Sequence, residues 1–158
     1  MQGGIGTFGI GAKYGDANYG IPGVPPNPDF AHVPPTTSRI SQQRRTIEMR
    51  SAFSVASAFI RQLKLDANYN DYTHSEFPTA QAASGVSDTQ ANHFHKRAFN
   101  AVLELQQQPI GKWQGTLGLW TNIENLTIAG DEPLGPNSVT TGVAAYAFEE
   151  YLASATTR

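Results

Sequence analysis

The chain has no cysteine among its 158 residues. That removes disulfide frameworks, thiolate metal centres and cysteine nucleophiles together, without fixing a redox compartment. It is also poor in excess charge: 11 basic and 13 acidic side chains leave a net charge of −2, so no basic field attracts nucleic acid and no acidic tail exists. No run approaches the roughly 18 consecutive apolar residues of a membrane helix. Met1-Gln2-Gly3-Gly4 has neither the basic nor the apolar region of a secretory leader. Helical spans are thereby excluded, but barrel strands are not, because their alternation keeps mean hydropathy low. Convergent catalytic groups are missing too. Glu149 and Glu150 are adjacent, so in a strand they face opposite ways and cannot act as a pair. The sequence reads as a non-enzyme that calls for no cofactor.

What is present is alternation. Phe99, Ala101, Leu103 and Leu105 share one parity against Asn100, Val102, Glu104 and Gln106, the period-2 pattern of a strand with two unlike faces. After Gln108-Pro109-Ile110-Gly111-Lys112, Trp113, Gly115, Leu117 and Leu119 alternate with Gln114, Thr116, Gly118 and Trp120, so the chain turns back as a hairpin. The same signal predicts strands at about 5–14, 39–53, 60–72 and 139–152, beside 94–107 and 113–122 for the hairpin. In the third of these runs Leu63, Leu65, Ala67 and Tyr69 oppose Lys64, Asp66, Asn68 and Asn70. The expectation is an all-β, antiparallel up-and-down meander of about six strands. Two stretches leave a helix open on propensity: Thr46 to Lys64, rich in helix formers, and Val139 to Leu152. Gly4, Gly6 and Gly9 spell a dinucleotide fingerprint, yet no strand precedes them and an alternating run follows, so they are assigned to a thinned strand face.

Between these runs lie polar connections. Residues 15–38 hold Pro22, Pro25, Pro26, Pro28, Pro34 and Pro35; 73–92 and 123–138 are also long, with Thr73-x-x-Glu76 imitating a helix cap ahead of Pro78. The links at 54–59 and 108–112 are short. Long and short links alternate, which places every long one at the same edge, the arrangement of outer-membrane barrels with short periplasmic turns and long outer loops. Trp113, Tyr69, Tyr72, Tyr146 and Tyr151 fall near strand ends, either as interfacial girdles or as ordinary cross-strand packing.

Several blocks carry a family likeness: Asp16-Ala17-Asn18-Tyr19-Gly20-Ile21-Pro22-Gly23, Ala67-Asn68-Tyr69-Asn70-Asp71-Tyr72-Thr73-His74-Ser75-Glu76, Pro109-Ile110-Gly111-Lys112-Trp113-Gln114-Gly115-Thr116-Leu117-Gly118, Gly130-Asp131-Glu132-Pro133 and Phe148-Glu149-Glu150-Tyr151. With them the sequence resembles the middle of the β-barrel of a TonB-dependent outer-membrane receptor. The resemblance implies energy-coupled uptake of a scarce ligand, such as a siderophore, haem, cobalamin or another metal chelate. It implies outer-membrane lipid around the barrel and TonB acting through an N-terminal plug domain, of which nothing is visible in 1–158. A receptor barrel has about 22 strands, so the chain is expected to be an incomplete piece of one, unable to fold stably or transport alone. The rival expectation is a small soluble all-β binding module whose long loops form the contact surface.

Histidine offers the one metal-ligating pattern. His93 and His95, at i and i+2, share a strand face about 7 Å apart and suit Zn or Cu. His32 and His74 lie on the same expected side, which makes the four a candidate metal or metallophore site against a background of exposed loop histidines. Arg44, Arg50, Lys64 and Arg97 are the strand cations that could draw an anionic chelate into a lumen, or simply be solvated wall charges.

Overall fold

The computed structural model describes residues 6–21, 38–78, 92–130 and 133–153. They form six strands, β1 (Gly6–Ile21), β2 (Ser38–Ser54), β3 (Ile60–Pro78), β4 (Asn92–Gln107), β5 (Trp113–Ala129) and β6 (Ser138–Tyr151). Each pairs antiparallel with its sequence neighbours in one sheet of order β1-β2-β3-β4-β5-β6. The meander expected from the alternation is therefore the architecture, and the sheet is open, with β1 and β6 at its edges.

Both stretches with a helical alternative are strands. Thr46 to Ser54 continues β2, and Val139 to Tyr151 lies in β6. Neighbouring strands decide the matter: Ser38 to Ser54 is laddered on both sides, to β1 and to β3, and such pairing outweighs a helix propensity of tenths of a kcal/mol per residue.

Several strands also run past their expected ends, into segments assigned to loops. Asp16, Asn18 and Gly20, read as loop formers, pair with Gln43, Ser41 and Arg39. Thr73 to Glu76 pairs with His95 to Asn92, so the apparent helix cap is a strand segment. Ile123 to Ala129 extends β5. The strand ends left to be joined by the longer connections, Ile21 and Ser38, Pro78 and Asn92, and Ala129 and Ser138, lie at one end of the sheet, and the short links 55–59 and 108–112 lie at the opposite end.

Chemistry fixes the two short links. In the second, Ile110 and Trp113 exchange backbone hydrogen bonds of 2.9 and 3.1 Å around Gly111 and Lys112. Gly111 has φ +62°, and a positive φ at the first central position alone is the signature of a type II′ turn, which suits the right-handed twist of the flanking strands. In the first, Ser57 replaces the missing glycine and proline: its hydroxyl accepts from the backbone N–H groups of Phe59 (3.2 Å) and Ile60 (3.4 Å).

Among the described residues nothing packs over the sheet. Among the described residues the buried apolar side chains are Ile40 and Ala98 alone, while Ile10 is 71% exposed, Ile47 52% and Leu117 50%. A water-soluble domain needs two packed layers to bury its apolar face. Here the second layer is absent from the described residues.

Candidate functional site

The strand register sorts the side chains onto two faces. One carries the sequence's apolar parity. Leu65, Leu103 and Leu119 stand in register across β3, β4 and β5, as do Tyr69, Phe99 and Ile123. Phe53 and Leu63 lie beside Leu105 at the short-link end. Toward the long-link edge the composition changes in one step: the next row reads Arg45, Asp71, Arg97 and Asn125 across β2 to β5. The face is thus an apolar belt below and a polar crown above. At the bottom of the belt the rings of Trp113 and Tyr151 meet at 5.0 Å between centroids.

The opposite face carries paired charges and amides, with Ile40, Phe94, Ala98, Val102 and Trp120 set among them. Lys13 pairs with Glu48 at 2.7 Å, Lys64 with Glu104 at 3.8 Å and Lys96 with Glu124 at 2.8 Å, each pair spanning adjacent strands. Between the charges runs a ladder of amides. Asn122 Nδ2 donates to Asn100 Oδ1 at 2.6 Å, Asn100 Nδ2 to Asn68 Oδ1 at 3.3 Å, Asn70 Nδ2 to Asn68 Oδ1 at 2.8 Å, and Thr46 Oγ1 to Asn70 Oδ1 at 2.7 Å. Asn100 and Asn70 each give and take, Asn122 donates and Asn68 accepts twice, so the chain of bonds holds five side chains on four strands in one arrangement.

Above the ladder the face dips into a depression of about 550 Å³, lined by Arg44, Tyr72, Lys96, Glu124 and the amides of Asn70, Asn100 and Asn122 around Ala98. Arg44 and Lys96 flank Tyr72 in one cross-strand row. The carboxylate of Glu124 neutralises Lys96. Arg44 lies over the Tyr72 ring at 5.3 Å and has no carboxylate partner among the described residues. The Tyr72 hydroxyl is held by Gln42 Oε1 and His74 Nδ1, both at 3.1 Å. The result is a stacking surface, one uncompensated guanidinium and several amide donors. That set suits a polar solute with anionic or carbonyl oxygens, and the volume falls in the range of small-molecule sites.

The structure separates residues that the sequence grouped. His93 and His95 share the crown of the apolar-belt face, with His93 Nδ1 2.8 Å from Ser75 Oγ and His95 Nε2 3.1 Å from Asp71 Oδ1. His74 is on the opposite, polar face, against Glu76 at 3.1 Å. His32 lies outside the described residues. The four are therefore not brought together as a set, and among the described residues no group of three or more metal-ligating side chains converges. Of the four strand cations, Arg44, Arg50 and Lys64 share the polar face, whereas Arg97 is on the other. The aromatics divide as well: Trp113, Tyr69 and Tyr151 are on the belt face, while Tyr72 and Tyr146 are on the polar one. Glu149 and Glu150 face opposite ways, each taking a hydrogen bond from a different glutamine, Gln107 and Gln114.

The sequence marks Tyr72 only as a girdle or packing aromatic, and it marks neither the amide ladder nor Glu124. Their signal is weak, since asparagines at 68, 100 and 122 mean nothing until the register aligns them. No protein-family model matches the chain, and no solved structure matches it.

Proposed function

We propose that the chain is a section of the wall of a TonB-dependent outer-membrane receptor, contributing to energy-coupled uptake of a small chelate such as a siderophore, haem or cobalamin. The observation that carries this reading is the uncovered apolar belt, bounded at a common row on adjacent strands and backed by a charged and amide-rich face. From Trp113 to Ile123 the belt runs about 34 Å along β5 at 3.4 Å per residue. Tilted by about 45°, that spans close to the 25 Å apolar band of an outer-membrane barrel. The strand ends joined by the three longer connections share one end of the sheet, as those joined by the outer loops of such barrels do. In this arrangement the polar face lines the lumen. The depression around Arg44, Tyr72 and the amide ladder then lies in the path of an anionic chelate, and TonB acts through a plug domain beyond this stretch of wall.

Strand edges set a condition on the proposal. β1 and β6 present unpaired backbone groups, which hydrocarbon penalises by several kcal/mol each and which invite edge-to-edge association in water. In a bilayer those edges are satisfied by the rest of a closed barrel of about 22 strands or, for the chain alone, by edge-to-edge pairing of copies, which is the vesicle-inserted form. Expressed alone in water it is expected to associate, and a monodisperse soluble monomer with a cooperative melt would favour a free-standing binding module.

Because the chain has no cysteine, single-cysteine labelling tests the reading directly. Thiols placed by Leu65→Cys and Leu119→Cys, in one mid-belt row of the vesicle-inserted protein, are expected to resist a water-soluble maleimide. Those placed by Glu48→Cys and Thr116→Cys are expected to react. Equal labelling of both sets would remove the membrane wall, and the receptor with it.

A further inference from the structure

We infer that the crown immediately above the apolar belt binds the phosphate of an anionic lipid headgroup, with Arg45 and Arg97 as its ligands; this rests on the membrane reading. Arg45, Asp71 and Arg97 stand in register on β2, β3 and β4, in the row after Ile47, Tyr69 and Phe99. They therefore sit one step past the aromatic rim, at headgroup depth. The two arginines are two strands apart, about 10 Å, a separation that long side chains close around one phosphate. Both are exposed. Neither is ion-paired among the described residues, although a carboxylate stands between them. That carboxylate is engaged elsewhere: Asp71 Oδ1 is 3.1 Å from His95 Nε2, and His95 is on the next row away from the belt, so Asp71 is drawn away from the lipid side. On this crown Arg39 adds a third cation, packed over the Phe77 ring at 4.1 Å. Asp16, near the β1 edge, is the other described acid of the crown.

A guanidinium fork matches phosphate oxygens bidentately, and it holds its charge at any relevant pH. The apolar belt below supplies what a free phosphate ion cannot use: Ile47, Met49, Phe99 and Ala101 continue from the two arginines down β2 and β4 as a surface for acyl chains. Charge above and uncovered hydrocarbon below, in one register, describe an amphiphile with an anionic head, which is why the lipid is the assigned occupant.

The test uses the chain assembled in phosphatidylcholine vesicles with a trace of spin-labelled phosphatidic acid or spin-labelled phosphatidylcholine, reading the motionally restricted lipid fraction. The native chain is expected to favour phosphatidic acid. R45Q/R97Q is expected to lower that preference about fivefold for each arginine removed. R45K/R97K keeps the charge and should keep most of the preference, and R44Q/R50Q, on the polar face, should leave it unchanged. Equal association of both labels with the native chain, or a preference that survives R45Q/R97Q, overturns the assignment. So does displacement of phosphatidic acid by inorganic phosphate, which would mark a free-ion site. A native chain that restricts neither label has not entered the bilayer; the membrane reading then fails first and takes this inference with it.

Discussion

At the scale of single residues, the polar face is built by reach as much as by pairing. Tyr146 lies in register with Gly118, whose missing side chain lets the ring cross β5 and donate to Glu104 Oε1 on β4 at 2.7 Å. A Cβ at Gly118 would overlap that ring. Gly118→Val is therefore expected to displace Tyr146 and break the link to Glu104, lowering stability by about 1–3 kcal/mol, while Tyr146→Phe removes the exposed hydrogen bond alone and is expected to cost less. Denaturant titration of both variants in vesicles separates the two terms; equal losses would mean that the ring's placement contributes nothing. Asn100 is in a different position, since it donates to Asn68 and accepts from Asn122. Asn100→Ala leaves two half-buried amides short of a partner, and a loss of about 1–3 kcal/mol is expected by the same titration. Alternation in the sequence indicated that Asn68, Asn100 and Asn122 face away from the leucines. It carried no information that the three lie side by side, because that depends on pairings between strands.

Elements show where the sequence was readable and where it was not. Parity within each strand survived intact: Leu63, Leu65, Ala67 and Tyr69 do share a face with Leu105, Leu103, Ala101 and Phe99. Strand ends did not, because Asp16, Asn18 and Gly20 have turn chemistry and are extended only by pairing with 39–43 on β2. Register was the hardest to read. The turn pairs Ile110 with Trp113, but the ladder behind it pairs Gln106 with Thr116. The β4 side thus has one residue more than the β5 side, and counting back from the turn alone would put each β4 side chain opposite a neighbour of the wrong face. That offset makes Gly111 a point of control. It has open space around its Cα, so its role is conformational: Gly111→Ala keeps every contact but places an L side chain at φ +62°. The expected cost is about 1–2 kcal/mol, with slower hairpin formation. An alanine variant as stable as the parent, compared by chemical denaturation in the same vesicles, would show that the turn does not depend on the positive φ.

For the whole molecule, the deciding question is what covers the belt, and the two readings differ in the sign of one measurement. In hydrocarbon, a charge at mid-belt on the apolar face is costly, whereas a charge on the lumen face is solvated. Leu119 lies near the middle of the run from Trp113 to Ile123, and Thr116, three residues earlier on β5, is on the polar side. Leu119→Arg is expected to destabilise the vesicle-inserted chain by about 2–4 kcal/mol, the midplane cost of arginine on a barrel's lipid face, while the same residue nearer the rim, at Ile123, costs about 0–1 kcal/mol. Thr116→Arg should fall within about 0.5 kcal/mol of the parent. A soluble module that covers the belt with a protein partner would give no such dependence on depth, since position within a packed interface is not ordered by distance from a membrane plane. Urea titration of the three variants in vesicles therefore reads the belt as a depth gauge: a graded penalty from Leu119 to Ile123 places the sheet across a bilayer, and a flat one places the apolar face against another protein.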